Sequence, residues 1–181
     1  MDKFHVSFSV LDPWSHGDYE TAINRYLKRP EPSNQQMEEG RIWHEKWRAE
    51  TIKTGKLPEV FGGKELTFPE CELRLYTLID DWIEFVGVVD NLTTEEIHEY
   101  KTGTRNSLAY ASSMQPRVYQ VLAIDNGYHP KRATIHHYNQ YTGKVTTSRI
   151  HLTTLSYENA KDWIITYASE MRVALESQGL L

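Results

Sequence analysis

The run Trp82-Ile83-Glu84-Phe85-Val86-Gly87-Val88-Val89 is the most constraining stretch of the chain, and it ends on an aspartate, Asp90. Its β-branched and aromatic residues favour extended backbone, so the run reads as a strand buried in a sheet. A carboxylate at the mouth of a buried strand is costly unless something pairs with it. The fold therefore has to bring a partner to Asp90.

The flanking segments say what kind of fold does so. Asp18 to Lys28 and Gln36 to Lys53 read as helices; the first ends before Pro30 and the second is stopped by Gly55. Gly40, Trp43, His44, Trp47 and Thr51 share one helical face. Cys71 to Thr77 alternates as a strand, Asn91 to Thr94 is a turn, and Glu95 to Lys101 is a third strand. Ser113 to Asp125 reads as a helix with Ser113 as N-cap and Pro116 in the first turn. Ala133 to Gln140 and Lys144 to Leu152 form a hairpin about Tyr141-Thr142-Gly143. A last helix runs from Tyr157 to about Gln178, capped by Ser156, with Trp163, Ile164, Met171 and Leu175 facing the core. Arg29 to Asn34 and Gly55 to Gly63 read as loops. The expected fold class is α/β, a mixed central β-sheet flanked by helices.

Length and composition fit one globular domain over residues 1–181, with 39% apolar residues. No stretch is apolar for long enough to span a bilayer, and Met1 to His5 is followed by no signal-type run, so a soluble, intracellular protein with no membrane partner is expected. The single cysteine, Cys71, excludes an intramolecular disulfide and a cysteine-held iron–sulfur cluster, and reads as a small core residue. The net charge of −5 hides an asymmetry. Residues 65–100 carry ten acidic residues and one basic, and residues 101–150 carry seven basic and one acidic. That ordering suits a site that holds cations and grips phosphates, and equally a chance unevenness of a solvated surface.

Nine residues after Asp90 comes Glu99-Tyr100-Lys101. Alternation along a strand puts Glu99 and Lys101 on one face and Tyr100 on the other. If the two strands pair antiparallel, Asp90 lies close to Glu99, and two carboxylates converge with an ammonium beside them. Such oxygens are the ligands Mg²⁺ or Mn²⁺ prefers, one or two ions in number, and a lysine there orients water or offsets charge developing on phosphorus. Spacing alone leaves open an ordinary surface hairpin with a Glu–Lys pair. His44, on the face expected to be buried, reads first as a satisfied core histidine and second as a metal ligand. Gln115 and Tyr119, four apart on one helix, suit phosphate or lysine contacts, or a cap. Arg105 and Arg117 flank the site as candidate phosphate contacts. His136 and His137 point to opposite faces of their strand, which disfavours a histidine metal site with His98 and His151. Tyr138, Tyr141, Trp14 and Tyr19 read as packing residues or as base-stacking platforms.

Taken together, six short patterns in order resemble the RecB-like branch of the PD-(D/E)XK nucleases. They are Ser7-Phe8-Ser9-Val10-Leu11, Gly40-Arg41-Ile42-Trp43-His44, Glu72, Gly87-Val88-Val89-Asp90, Glu99-Tyr100-Lys101-Thr102-Gly103 and Gln115-Pro116-Arg117-Val118-Tyr119. The resemblance implies a restriction-endonuclease-like core. It implies His44, Asp90, Glu99 and the Tyr100 carbonyl as metal ligands and Lys101 as the catalytic lysine. Gln115 and Tyr119 would line the site, Glu72 would hold a second metal or its waters, and Ser7 and Ser9 would touch substrate phosphate or only cap structure. The first-helix Cys-Pro of many relatives is absent; Asp12-Pro13-Trp14 stands nearby.

The implied activity is Mg²⁺- or Mn²⁺-dependent hydrolysis of DNA phosphodiesters, as an exonuclease or a single-strand or flap nuclease in recombination, repair or phage DNA metabolism. The partner is DNA, as single strands or duplex ends, with RNA less favoured and a homo-oligomer or recombination partner possible. The competing readings are a sequence-specific restriction-type endonuclease or an RNA endonuclease on the same core, and a catalytically silent scaffold. The presence of Asp90, Glu99 and Lys101 together argues against the last.

Overall fold

The computed structural model describes residues 3–31, 34–67 and 69–181, so Pro32 and Ser33 of the first expected loop lie outside the described residues. Its order is β1 (Phe4–Ser7), α1 (Phe8–Ser15), α2 (Tyr19–Tyr26), α3 (Gln35–Thr54), β2 (Glu70–Ile79), β3 (Ile83–Leu92) and β4 (Glu96–Thr102), then α4 (Ser107–Ala111), α5 (Gln115–Asp125), β5 (Arg132–Asn139), β6 (Lys144–His151) and α6 (Thr154–Ser177). A 3-10 turn, Glu59–Phe61, sits within the second expected loop. The strands make one mixed sheet of six, with helices against it. Among the described residues no helix is long and apolar enough to cross a membrane.

The apolar run anticipated from sequence is β3, and it organises the sheet. β2 pairs antiparallel with β3 along Ile83 to Leu92 and so fills one edge. The opposite edge is shared. β1 takes its start in parallel, from Phe4 opposite Ile83 to Ser7 opposite Val86. β4 takes its end antiparallel, with Asn91 opposite His98 and Leu92 opposite Ile97. Between them the sheet forks, and among the described residues no strand pairs with Gly87 to Asp90 on that edge. β4 continues into β5 in parallel, and β5 into β6 antiparallel.

The main core lies between the Phe85 and Val89 face of the sheet and helices α1, α5 and α6, where Leu11, Val118, Leu122, Ile164 and Met171 are buried. A smaller aromatic cluster, centred on Trp47, Leu57 and Tyr100, lies under α3 on the other face. Two glycines are required by close approach. A Cβ on Gly40 would stand 2.9 Å from Thr102 Oγ1, so α3 rests directly on the end of β4. A Cβ on Gly87 would stand 2.5 Å from Leu122 Cδ1 and 3.0 Å from Tyr119 Cε1, so α5 seats its side chains in the fork itself.

Some expectations need correction. β1 and α4 were not anticipated, because four- and five-residue elements are too short to display a period, and neither was α1, whose internal Pro13 reads as a helix breaker. Pro13 lies inside α1, where it removes the N–H that would serve the Ser9 carbonyl. Arg25 of α2 supplies the missing donor, with Nη1 2.9 Å from Ser9 O. Asn91 and Leu92 continue the strand instead of starting the turn. Met114, not Ser113, occupies the α5 cap position, and the Ser113 hydroxyl donates to the Tyr110 carbonyl. Thr153 caps α6, and Ser156 completes its capping box. Cys71 is only half-buried.

Gly87→Ala should cost about 1–3 kcal/mol, the usual cost of overpacking a filled core. The urea midpoint should fall accordingly; an unchanged midpoint would mean that Tyr119 and Leu122 yield at no cost.

Candidate active site

The fork leaves backbone groups that no strand satisfies, and side chains from the two divergent strands take their place. Asp90 Oδ2 accepts from the Tyr100 N–H at 2.7 Å, and Glu99 Oε1 lies 3.5 Å from the Asp90 N–H. Continuing the β3–β4 register beyond Asn91 and His98 puts Asp90 opposite Glu99. Lys101 follows Glu99 by one strand period, and its Nζ donates to Glu99 Oε2 at 3.0 Å. From α5, Gln115 Nε2 donates to Tyr119 Oη at 3.0 Å and stands 3.5 Å from Glu99 Oε2. From α3, His44 places Nδ1 3.5 Å from Asp90 Oδ1. Helices on both faces of the sheet thus address one pair of carboxylates.

Burial sets the electrostatics. Glu99 is 2% exposed, and its desolvation together with the charge of Asp90 pushes its pKa up to about 7 despite Lys101. Burial also works against an ionised Asp90, but His44, Lys101 and the Tyr100 N–H offset it and hold its pKa below the usual carboxylate range. Burial opposes the charge of Lys101, yet Glu99 and Asp90 outweigh it and raise its pKa. His44 follows the same pattern: burial disfavours its charged form, and the hydrogen bond and charge of Asp90 raise the pKa overall. Tyr119 is held protonated by burial and by Glu99.

Two nearly buried carboxylates facing each other, one of which keeps its proton to near-neutral pH, make a donor set suited to a hard divalent cation. Among the described residues no three of His, Cys, Asp and Glu stand round one point as a finished cage. His44, Lys101 and Gln115 draw the carboxylates toward themselves, so a cation would replace these contacts.

Other candidates lie apart. Glu72 falls across the β2–β3 pair from Asp90, between Cys71 opposite Asn91 and Leu73 opposite Val89, but its φ is +48° and its carboxylate pairs with Arg48 Nε at 3.1 Å. Ser7 and Ser9 bond each other at 3.0 Å where β1 enters α1. Arg105 is exposed between β4 and α4, where its charge acts on Asp12. Arg117 Nη1 donates to the Ser113 and Ala111 carbonyls and ties α5 to α4. Trp14 is buried and packs on Tyr19, Tyr138 packs on Trp43 and Trp47, and Tyr141 is exposed. Two participants escaped the sequence reading. Tyr110 of α4 lays its ring 5.9 Å from Lys101 Nζ, and Asn91 Nδ2 donates to the Tyr100 hydroxyl at 2.6 Å. Asn91 directly follows Asp90, which was the one available signal for it; nothing in the sequence pointed to Tyr110.

No family profile and no curated protein matches the chain. Solved structures do. A protein from Eubacterium rectale described as a candidate exonuclease superposes with a TM-score of 0.63 at 12% identity, over 98% of this chain and 83% of that one. An alkaline exonuclease from Laribacter hongkongensis superposes with a TM-score of 0.56 at 14% identity, over 97% of this chain and 91% of that one. The same enzyme in complex with dAMP gives 0.56 at 15% identity, over 96% and 90%. At these identities the likeness is one of fold: the mixed sheet and its flanking helices are shared with exonucleases.

Proposed function

We propose that the chain is a Mg²⁺- or Mn²⁺-dependent DNA nuclease of the PD-(D/E)XK superfamily, RecB-like branch. The observation that carries this reading is the convergence of Asp90, Glu99 and Lys101 in the fork, with the Asp90 carboxylate fixed by the Tyr100 N–H and Lys101 Nζ 3.0 Å from Glu99. Asp90, Glu99, the Tyr100 carbonyl and His44 would hold the cation, and Glu72 would reach a second ion or its waters only by leaving Arg48. Bound there, a divalent cation supplies charge to polarise a phosphoryl oxygen and to acidify water.

The protein's own groups do the rest. Release of Glu99 by Lys101 leaves an ammonium free to orient a water or to offset charge on the phosphorus. Gln115 and Tyr119 offer an amide and a hydroxyl to the scissile strand or to Lys101. Tyr119 is suited to donate, because its hydroxyl stays protonated. The exonuclease folds that share this topology, one of them complexed with dAMP, favour DNA ends as substrate.

Asp90→Asn, Glu99→Gln and Lys101→Ala should each lower cleavage by about 10²–10³-fold or more while leaving the circular dichroism spectrum unchanged. The assay uses circular single-stranded DNA, linear single-stranded DNA, linear duplex and RNA, each with EDTA, Mg²⁺ or Mn²⁺. Loss of linear DNA with circles spared identifies an exonuclease, cut circles an endonuclease, and RNA-only cleavage moves the enzyme off DNA. Three variants as active as wild type would dismiss the site.

A second prediction follows from Glu99, whose pKa rises from 4.5 to about 7 on folding. Between these values the unfolded chain ionises first, so the metal-free protein should lose stability as pH rises through that window. Glu99→Gln should flatten this loss. Cation affinity should climb by about tenfold or more per pH unit below pH 7, because binding must displace the Glu99 proton and that of His44, whose pKa is also raised. Calorimetric titration of Mn²⁺ at a series of pH values measures this slope, and a flat profile would remove Glu99 from the ligand set.

A further inference from the structure

Under the aromatic cluster, at the start of β4, lies a cavity of about 120 Å³ whose wall includes Lys64, Glu96, His98, Arg132, His136 and Arg149. It adjoins a second space of about 270 Å³ that shares Lys64, Glu96, His98 and Arg132 and opens past Glu65 and Glu95. The inner volume holds several waters, room enough for a tetrahedral oxyanion.

The charges on the wall do not balance. Glu96 is fully engaged: one oxygen accepts from Arg132 Nε at 2.7 Å and the other from the Thr134 hydroxyl. At the rim Glu95 pairs with Lys131 at 2.6 Å and Glu65 with Lys56 at 3.7 Å. Lys64 and Arg149 have no carboxylate partner among the described residues. Every acid is therefore neutralised by a cation, and two cations remain over.

The histidines add one donor. His98 Nδ1 and His136 Nε2 share one hydrogen bond at 3.1 Å. His98 Nε2 stands 3.9 Å from Glu96, beyond hydrogen-bond reach. His136 Nδ1 is buried with no partner. Two neutral imidazoles joined by one hydrogen bond keep a single free N–H between their outer nitrogens; with it on His98 Nε2, a ligand that brings acceptor oxygens and negative charge satisfies that donor and the two spare cations.

We propose that this pocket is a second binding site, for a phosphate group, held by Lys64 and Arg149 with a hydrogen bond from His98 Nε2. The phosphate, free or esterified, sits in the inner cavity, and the outer space takes the remainder of an ester. The site is separate from the proposed catalytic centre and does not depend on the nuclease reading.

The test is calorimetric titration of the full chain with inorganic phosphate and with methyl phosphate, in EDTA and against chloride at equal ionic strength. Saturable binding of either phosphate is expected, retained in Lys101→Ala, which alters only the catalytic centre. The double variant Lys64→Ala/Arg149→Ala changes two exposed side chains, so its fold should survive, and its affinity should fall by about tenfold or more for two lost charges. Binding by methyl phosphate as well as phosphate would show that an ester is accepted; binding by inorganic phosphate alone would restrict the site to the free ion. No saturable binding by wild type, equal affinity in the double variant, or loss in Lys101→Ala would overturn the proposal.

Discussion

The hydrogen bond from the Tyr100 N–H to the Asp90 carboxylate holds together a sheet that has come apart. β3 offers one edge to two strands, β1 at its start and β4 at its end, and the gap between them leaves main-chain groups with no ladder to join. Buried N–H groups without partners are expensive, so the gap persists only if side chains take over. Asp90 and Glu99 do that. The need to close a split sheet and the need to gather carboxylates are met by the same atoms.

The surroundings follow from that arrangement. A fork is a hole in the sheet, and two helices plug it from opposite sides. α5 enters because Gly87 has no side chain to exclude Tyr119 and Leu122, and α3 settles onto β4 because Gly40 lies flush against Thr102. The same helices carry Gln115 and His44 to the carboxylates. Lys101 and His44 then supply positive charge from two directions, which is why Asp90 stays ionised while its neighbour Glu99 holds a proton. Packing and electrostatics at this point are one problem with one solution.

Much of this was legible in the sequence, for identifiable reasons. The apolar run before Asp90 and the alternation around Glu99 fixed both strands, and antiparallel pairing about a short turn set the carboxylates opposite each other. The spacing of Gly40, His44, Trp47 and Thr51 gave the buried face of α3. What stayed hidden depends on distance in space. The sharing of β3 by β1 and β4 leaves no local mark, because β1 has four residues and meets a strand almost eighty positions away. The Arg25 donor that rescues Pro13 belongs to another helix. Arg105, Arg117 and Glu72 have the right charge at plausible positions, yet Arg117 serves carbonyls and Glu72 serves Arg48, choices decided by neighbours that no spacing reveals.

The left-handed backbone at Glu72 has a consequence beyond the site. Among the described residues β2 pairs with no strand but β3, so its outer edge is left without a ladder. Exposed edges of this kind template pairing with other chains and seed aggregation. A residue at φ +48° near the start of the strand breaks the regular extended path of that edge while the register with β3 holds on either side. An incoming strand would meet an interruption a third of the way along. The strain at Glu72 thus works as protection, letting a ten-residue edge strand stay long enough to support β3 without inviting a stranger to extend the sheet.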